Sequence, residues 1–280
     1  MKTLLVVPFL FLSDTVIAQQ DRPPRERPAL SIPAGFKAVR DVEYVTGGGA
    51  SRSLDLYLPE AKPDKPLPLV VWIHGGAWLG GNKDRPNGIA LLRAGFAVAS
   101  INYRLSQEAI FPAQIEDCKA AIRFLRAKAA DFGIDGGRIG AFGSSAGGHL
   151  VALLGVSADR KEWEVGDHLD QSSQVQAVCD WFGPTNLLTM GAQSGPNSRL
   201  DHDAPDSPES KLIGAHVPKA PDKASAASPL SYVTSDDAPM LIVHGDADPV
   251  VPVKQSETFY AALEKAGVKA TLHIVKGGGH

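Results

Sequence analysis

A short apolar run, Ile139-Gly140-Ala141-Phe142, leads directly into Gly143-Ser144-Ser145-Ala146-Gly147. The G-x-S-x-G spacing describes a strand that ends in a sharp turn, with one serine at the tip and a helix leaving behind it. Glycines fit there because the backbone is strained and packs close to its neighbours, leaving no room for a Cβ. Of the two adjacent serines, only Ser145 stands two residues from both Gly143 and Gly147. If Ser145 is a nucleophile, the turn also demands three further parts: oxyanion donors upstream, then a carboxylate, then a histidine, in that chain order.

The remaining pattern suits such a turn. Continuous apolar runs at 69–73, 97–101, 139–142, 175–179, 240–243 and 271–275 read as strands of a buried parallel sheet. Helical stretches at 89–94, 112–130, 146–154 and 254–266 alternate with them, which predicts a doubly wound, mostly parallel α/β fold. Before them, 41–46 and 53–58 read as two strands joined by Gly47-Gly48-Gly49. The second of these alternates polar and apolar residues, as a half-buried antiparallel strand does. Residues 185–227 break the rhythm, being rich in Pro, Ser, Asp and Gly, and read as an irregular, lid-like insertion. Its Asp201-His202-Asp203 and Asp206 are read as solvated loop residues rather than a metal site.

With 280 residues the chain is long enough for one large domain, expected over 37–280. A net charge of −3 gives no footing for nucleic acid or an anionic membrane surface. Met1-Lys2, the apolar stretch 4–12 and Val16-Ile17-Ala18 form a secretory signal with cleavage expected after Ala18, so the protein is expected to be periplasmic or extracellular. The stretch is shorter than the ~20 residues of a membrane span, so no stable anchor is expected. A Pro- and Arg-rich linker follows over 19–36. Cys118 and Cys179 are expected to be free thiols, one on a helix and one inside an apolar strand.

The parts demanded by Ser145 are present. His74-Gly75-Gly76-Ala77-Trp78 follows the strand at 69–73. Loops at the carboxyl ends of such strands build sites. The N–H groups of Gly76 and Ala77, with that of Ala146, are the expected oxyanion hole. Asp246 and Asp248 follow the strand at 240–243; Asp248 is preferred as the acid, and Asp246 is expected to brace its loop. Lys276-Gly277-Gly278-Gly279-His280 follows the last strand, and His280 is the expected general base. His149 and His273 fit that position less well. Trp78, Trp181 and Phe182 are candidates for an aromatic acyl pocket, with core packing as the alternative.

These stretches, with Asn102-Tyr103-Arg104, Asp135-Gly136-Gly137-Arg138-Ile139 and Asp180-Trp181-Phe182-Gly183-Pro184-Thr185, resemble the esterase/lipase group of α/β-hydrolases, near hormone-sensitive-lipase-like and bacterial feruloyl/acetyl-xylan-esterase-like enzymes. The resemblance spans about residues 40 to 280. It implies Ser145, Asp248 and His280 as the triad, no metal and no organic cofactor. The expected substrate is a small or polysaccharide-linked ester with a short acyl or aryl group. Two departures stand out. Ala77 replaces a third glycine, which leaves the backbone donor intact. Relatives also continue past the histidine, so a chain ending at His280 is read as an incomplete C-terminus that holds its imidazole less firmly. The competing expectations are a prolyl-oligopeptidase-type serine peptidase, which lacks room here for its usual extra domain, and a non-catalytic binding protein on the same fold.

Overall fold

The structure is a computed structural model that describes residues 30–280, of which Ile32–His280 form one compact unit. The expected signal over 1–18 and most of the linker lie outside the described residues. Eight strands form one sheet: β1 (Phe36–Glu43), β2 (Ser53–Pro59), β3 (Leu67–Ile73), β4 (Ala97–Ile101), β5 (Ile134–Ser144), β6 (Ala177–Trp181), β7 (Met240–Gly245) and β8 (Ala270–Val275). Their order is β1-β2-β4-β3-β5-β6-β7-β8, and β2 alone runs against the rest. The chain moves outward from β3 to β4 and then returns to the other side of β3 for β5. The boundary between β3 and β5 is therefore the switch point, where loops at the carboxyl ends open a crevice for ligand.

The longer helices are α1 (Ala113–Ala127), α3 (Ala146–Val156) and α7 (Lys254–Ala266), with a short α2 (Ala129–Phe132) after α1. Every residue of α3 is buried, because it leaves the serine turn into the space beside β3, β5 and β6. The stretch at 89–94 is a 3-10 helix (Asn87–Ala94) closed by Gly95. No helix among the described residues is long and apolar enough to cross a membrane.

Three strand expectations need correction. The first strand covers Phe36–Glu43 rather than 41–46. A bulge at Arg40-Asp41 interrupts its alternation, and Asp41 has φ 55°. That bulge is held by Asp55 Oδ1, which accepts the Asp41 N–H at 3.0 Å, and by Lys83, 2.6 Å from Asp41 Oδ1. The same cluster buries the polar face of β2, which was expected to be half-exposed: Asp55 sits between Arg40 at 2.5 Å and Lys83 at 2.7 Å, and its side chain is fully covered. The fourth parallel strand lies at Ala177–Trp181, two residues beyond 175–179, so that Ser144 pairs with Trp181 at the carboxyl edge.

Nor is the insertion structureless. It carries α4 (Met190–Gln193), α5 (Pro208–Ile213) and α6 (Pro221–Ala226) with two 3-10 turns. Gln255 from α7 ties down its start, accepting the N–H groups of Thr185 at 2.8 Å and Asn186 at 2.7 Å. His202 is not solvated but buried against Glu209. Cys118 and Cys179 are both free, Cys118 being buried.

Candidate active site

Ser145 adopts φ 56° and ψ −123° between β5 and α3, a strained conformation for a residue with a side chain. Close packing holds it there. A Cβ at Gly143 would collide with the Gly147 carbonyl, and one at Gly147 with the Ile73 carbonyl at the end of β3. The Ser145 N–H donates to the Trp181 carbonyl at 2.9 Å, so the turn is also tied to β6. Ser144 is the last ladder residue of β5, which leaves Ser145 at the tip, partly exposed.

The loop after β3 lies against this turn. A Cβ on Gly75 would stand 2.8 Å from the Ser144 carbonyl oxygen and 3.3 Å from Ser145 Cβ. Gly76, Ala77 and Trp78 then all have positive φ, at 115°, 56° and 56°. The curl is closed by Leu79 and Gly80, whose N–H groups both donate to the Gly76 carbonyl at 3.0 Å. Among the described residues no protein acceptor takes the N–H of Gly76, Ala77 or Ala146, so all three remain for a ligand. From the other side the Tyr103 hydroxyl donates to the His74 carbonyl at 3.0 Å, and its ring stacks on His74 at 4.4 Å.

Trp78 is not an open pocket wall. It is only 2% exposed, and its Nε1–H donates to His149 Nδ1 at 3.2 Å. His149 Nε2 is in turn 2.6 Å from the Ala227 carbonyl, which assigns the proton to Nε2. Burial pushes the His149 pKa down to about 4, against the opposing pull of the Ala227 carbonyl, so the imidazole stays neutral. The loop that carries Gly76 and Ala77 is thus pinned to α3 and to the end of α6. Trp181 packs edge-on against Phe142 with ring centres 4.8 Å apart. Phe182 alone of the three aromatics packs against the imidazole of His280, its ring centre lying 4.5 Å away.

Asp248 and His280 come together after β7 and β8. His280 Nδ1 lies 2.8 Å from Asp248 Oδ2. The N–H groups of Val250 and Val251 donate to Asp248 Oδ1 at 2.7 and 2.9 Å. Burial alone would raise this carboxyl. Hydrogen bonds from His244, His280, Val250 and Val251 outweigh it and hold the carboxyl well below the usual range. Asp246 is exposed and accepts the Gly277 N–H, while Ala247 N–H donates to the Gly278 carbonyl at 2.9 Å. Asp246 therefore braces the turn that delivers His280. Among the described residues the Ser145 hydroxyl makes no hydrogen bond, to His280 or to any other group. Apo sites often close that contact only when substrate is bound.

Sequence reasoning missed His244. It is fully buried, with Nδ1 2.7 Å from Ser256 Oγ and Nε2 2.9 Å from the Val251 carbonyl and 3.3 Å from Asp248 Oδ2. Its place in His244-Gly245-Asp246-Ala247-Asp248 was the available signal.

The sheet order, the strained serine turn at the switch point and the paired carboxylate and imidazole define an α/β-hydrolase. The chain belongs to the BD-FAE family, whose profile matches residues 54–263. It is 35% identical over 235 residues to the esterase LipQ of Mycobacterium tuberculosis, covering 81% of this chain and 53% of that protein. Among solved structures it is similar to a truncated form of a carbohydrate esterase from gut microbiota, with 41% identity, a TM-score of 0.80 and coverage of 87% and 89% of the two chains. It is also similar to an acetyl ester-xyloside bifunctional hydrolase from Caldicellulosiruptor lactoaceticus, with 28% identity, a TM-score of 0.66 and coverage of 81% and 79%. The chain spans about half to two thirds of the length of the curated relatives it matches.

Proposed function

We propose that this protein is an exported serine carboxylesterase that removes short acyl groups, acetyl above all, from polysaccharide. The observation that carries the reading is the Asp248–His280 contact at 2.8 Å, on a sheet whose switch point presents a strained serine beside three unclaimed N–H groups. His280 Nε2 takes the Ser145 proton as the serine oxygen attacks the ester carbonyl. The N–H groups of Gly76, Ala77 and Ala146 receive the negative oxygen of the tetrahedral intermediate. The imidazolium returns the proton to the leaving alcohol, and an acyl-Ser145 remains. Water, deprotonated by His280, then attacks the acyl carbonyl, releases the acid and restores the serine. Asp248 stays ionised throughout, fixing the Nδ1–H tautomer and stabilising the imidazolium.

Support for a sugar-linked alcohol comes from the carbohydrate esterase and acetyl ester-xyloside hydrolase likenesses, and from the export signal read at residues 1–18. Phe182, beside the imidazole, suits a small acyl group packed against its ring. The test is a hydrolysis panel of p-nitrophenyl acetate, butyrate and octanoate, methyl ferulate and acetylated xylan. The reading expects the highest kcat/KM on acetate and release of acetic acid from the xylan, both lost in Ser145→Ala. Hydrolysis that survives Ser145→Ala, or no hydrolysis of any ester, would contradict it.

A further inference from the structure

The loop that carries Asp248 is held from outside by His202. This residue sits within the insertion, and its side chain is 1% exposed. Nδ1 lies 2.8 Å from Glu209 Oε1 on α5, and Nε2 lies 2.9 Å from the Val250 carbonyl oxygen. A carbonyl can only accept, as can a carboxylate while ionised. A neutral imidazole has one N–H and can satisfy only one of them, so the pair of contacts calls for the doubly protonated ring. The charged groups that face it are Glu209 from α5 and Asp203 on its own loop, while the acid loop offers the Val250 carbonyl. Burial works against the charge. The hydrogen bond and charge of Glu209, then the Val250 carbonyl and Asp203, outweigh it and raise the His202 pKa above its ordinary value. Glu209 Oε2 is buried with no partner, so His202 is the main support of that carboxylate.

Val250 links this contact to the site. Its carbonyl is taken by His202, while its N–H joins that of Val251 on Asp248 Oδ1. A second strap beside it is the Arg199 N–H, which donates to the Pro249 carbonyl at 2.7 Å. We propose that His202 is a positioning residue for the acid of the reaction: its imidazolium clamps the acid loop through the Val250 carbonyl and keeps Asp248 aimed at His280. The proposal rests on the reading of Asp248 and His280 given above. His202 acts through Asp248 and not on substrate. When the imidazolium loses a proton, either the Val250 carbonyl or Glu209 loses its donor, the loop loosens and turnover falls on the alkaline side.

The experiment measures kcat and KM for p-nitrophenyl acetate from pH 6 to 9.5 in the wild type, Glu209→Gln, His202→Gln and Ser145→Ala. Glu209→Gln keeps an acceptor for Nδ1 and removes the charge. It is expected to move the alkaline fall in kcat about one pH unit towards neutrality. His202→Gln is expected to lower kcat about tenfold at neutral pH, with the alkaline fall abolished so that its profile meets that of the wild type at high pH, and with KM nearly unchanged. Imidazole 15N resonances of the wild type report the protonation of His202 directly, and both nitrogens are expected to carry protons at pH 7. A neutral His202 at pH 7, or an alkaline limb indifferent to Glu209→Gln while Ser145→Ala is inactive, overturns the His202 proposal alone. Hydrolysis that persists in Ser145→Ala overturns the underlying reading of the site as well.

Discussion

Alanine at Gly75 is expected to slow catalysis at least about tenfold in a chain that still folds. The added Cβ would stand 2.8 Å from the Ser144 carbonyl oxygen and 3.3 Å from Ser145 Cβ. Neither atom can swing away, since one ends a ladder strand and the other belongs to a turn fixed by Gly143 and Gly147. Gly75 has no positive φ, so the effect is one of contact rather than conformation. Ordinary packing is restored only if the loop after β3 retreats by roughly half an ångström, which for an overpacked contact costs about 1–3 kcal/mol. That retreat draws the Gly76 and Ala77 donors away from the oxyanion. A 1 Å misplacement costs about 10²-fold in rate, and loss of one donor about 3 kcal/mol, so half an ångström should lower kcat roughly tenfold or more. Gly80 is the matched control in the same loop, because a Cβ there meets nothing within 4 Å. The assay is kcat and KM for p-nitrophenyl acetate with Tm measured in parallel. Equal kcat for Gly75→Ala and Gly80→Ala would refute the assignment of this loop as the oxyanion hole.

Further predictions follow from the same contacts. Asp248→Asn leaves the shape intact but removes the charge that fixes the His280 tautomer, and kcat is expected to fall about 10⁴-fold at neutral pH, read by steady-state kinetics. His149 has its folded pKa depressed to about 4, so the unfolded chain binds the extra proton first as pH falls. Its stabilising contribution is present above about pH 6.5 and is lost as pH falls towards 4, by up to about 3 kcal/mol, a slope that His149→Gln should flatten in denaturant titrations. Asp180 runs the other way. Burial raises its carboxyl to about 6, with the Gly183 N–H and His244 opposing, and its Oδ2 is buried without a partner. Folding is therefore favoured below about pH 4 and weakened as pH rises through 6, again by about 3 kcal/mol, and Asp180→Asn should remove that loss.

Much of the site could be read in the sequence because its chemistry is carried by short local motifs. The serine turn, the glycine loop after β3 and Asp248 each sit directly after an apolar strand, and α7 begins and ends at the expected residues. What escaped depends on contacts between distant residues. The bulge in β1 exists because Lys83 and Asp55 meet Asp41, and no local alternation encodes that meeting. Trp78 has the composition of a pocket wall, but the positive φ at Ala77 and Trp78 accompanies an indole turned down onto His149. His202 lies among aspartates and reads as solvated, yet the fold buries it 48 positions from its partner Val250. His244 stood inside a recognised motif, and only the packing of α7, which supplies Ser256, shows it gripping the acid loop.

The proposed mechanism turns on Ser145 as the nucleophile, driven by His280 and Asp248. Its most direct test is covalent: treat the folded protein with paraoxon and map the phosphorylated peptide by mass spectrometry. One diethylphosphoryl group is expected on Ser145, retained in Ser144→Ala, absent in Ser145→Ala and formed far more slowly in Asp248→Asn. Modification of Ser144, or an unmodified Ser145 in a protein that still hydrolyses p-nitrophenyl acetate, would contradict it.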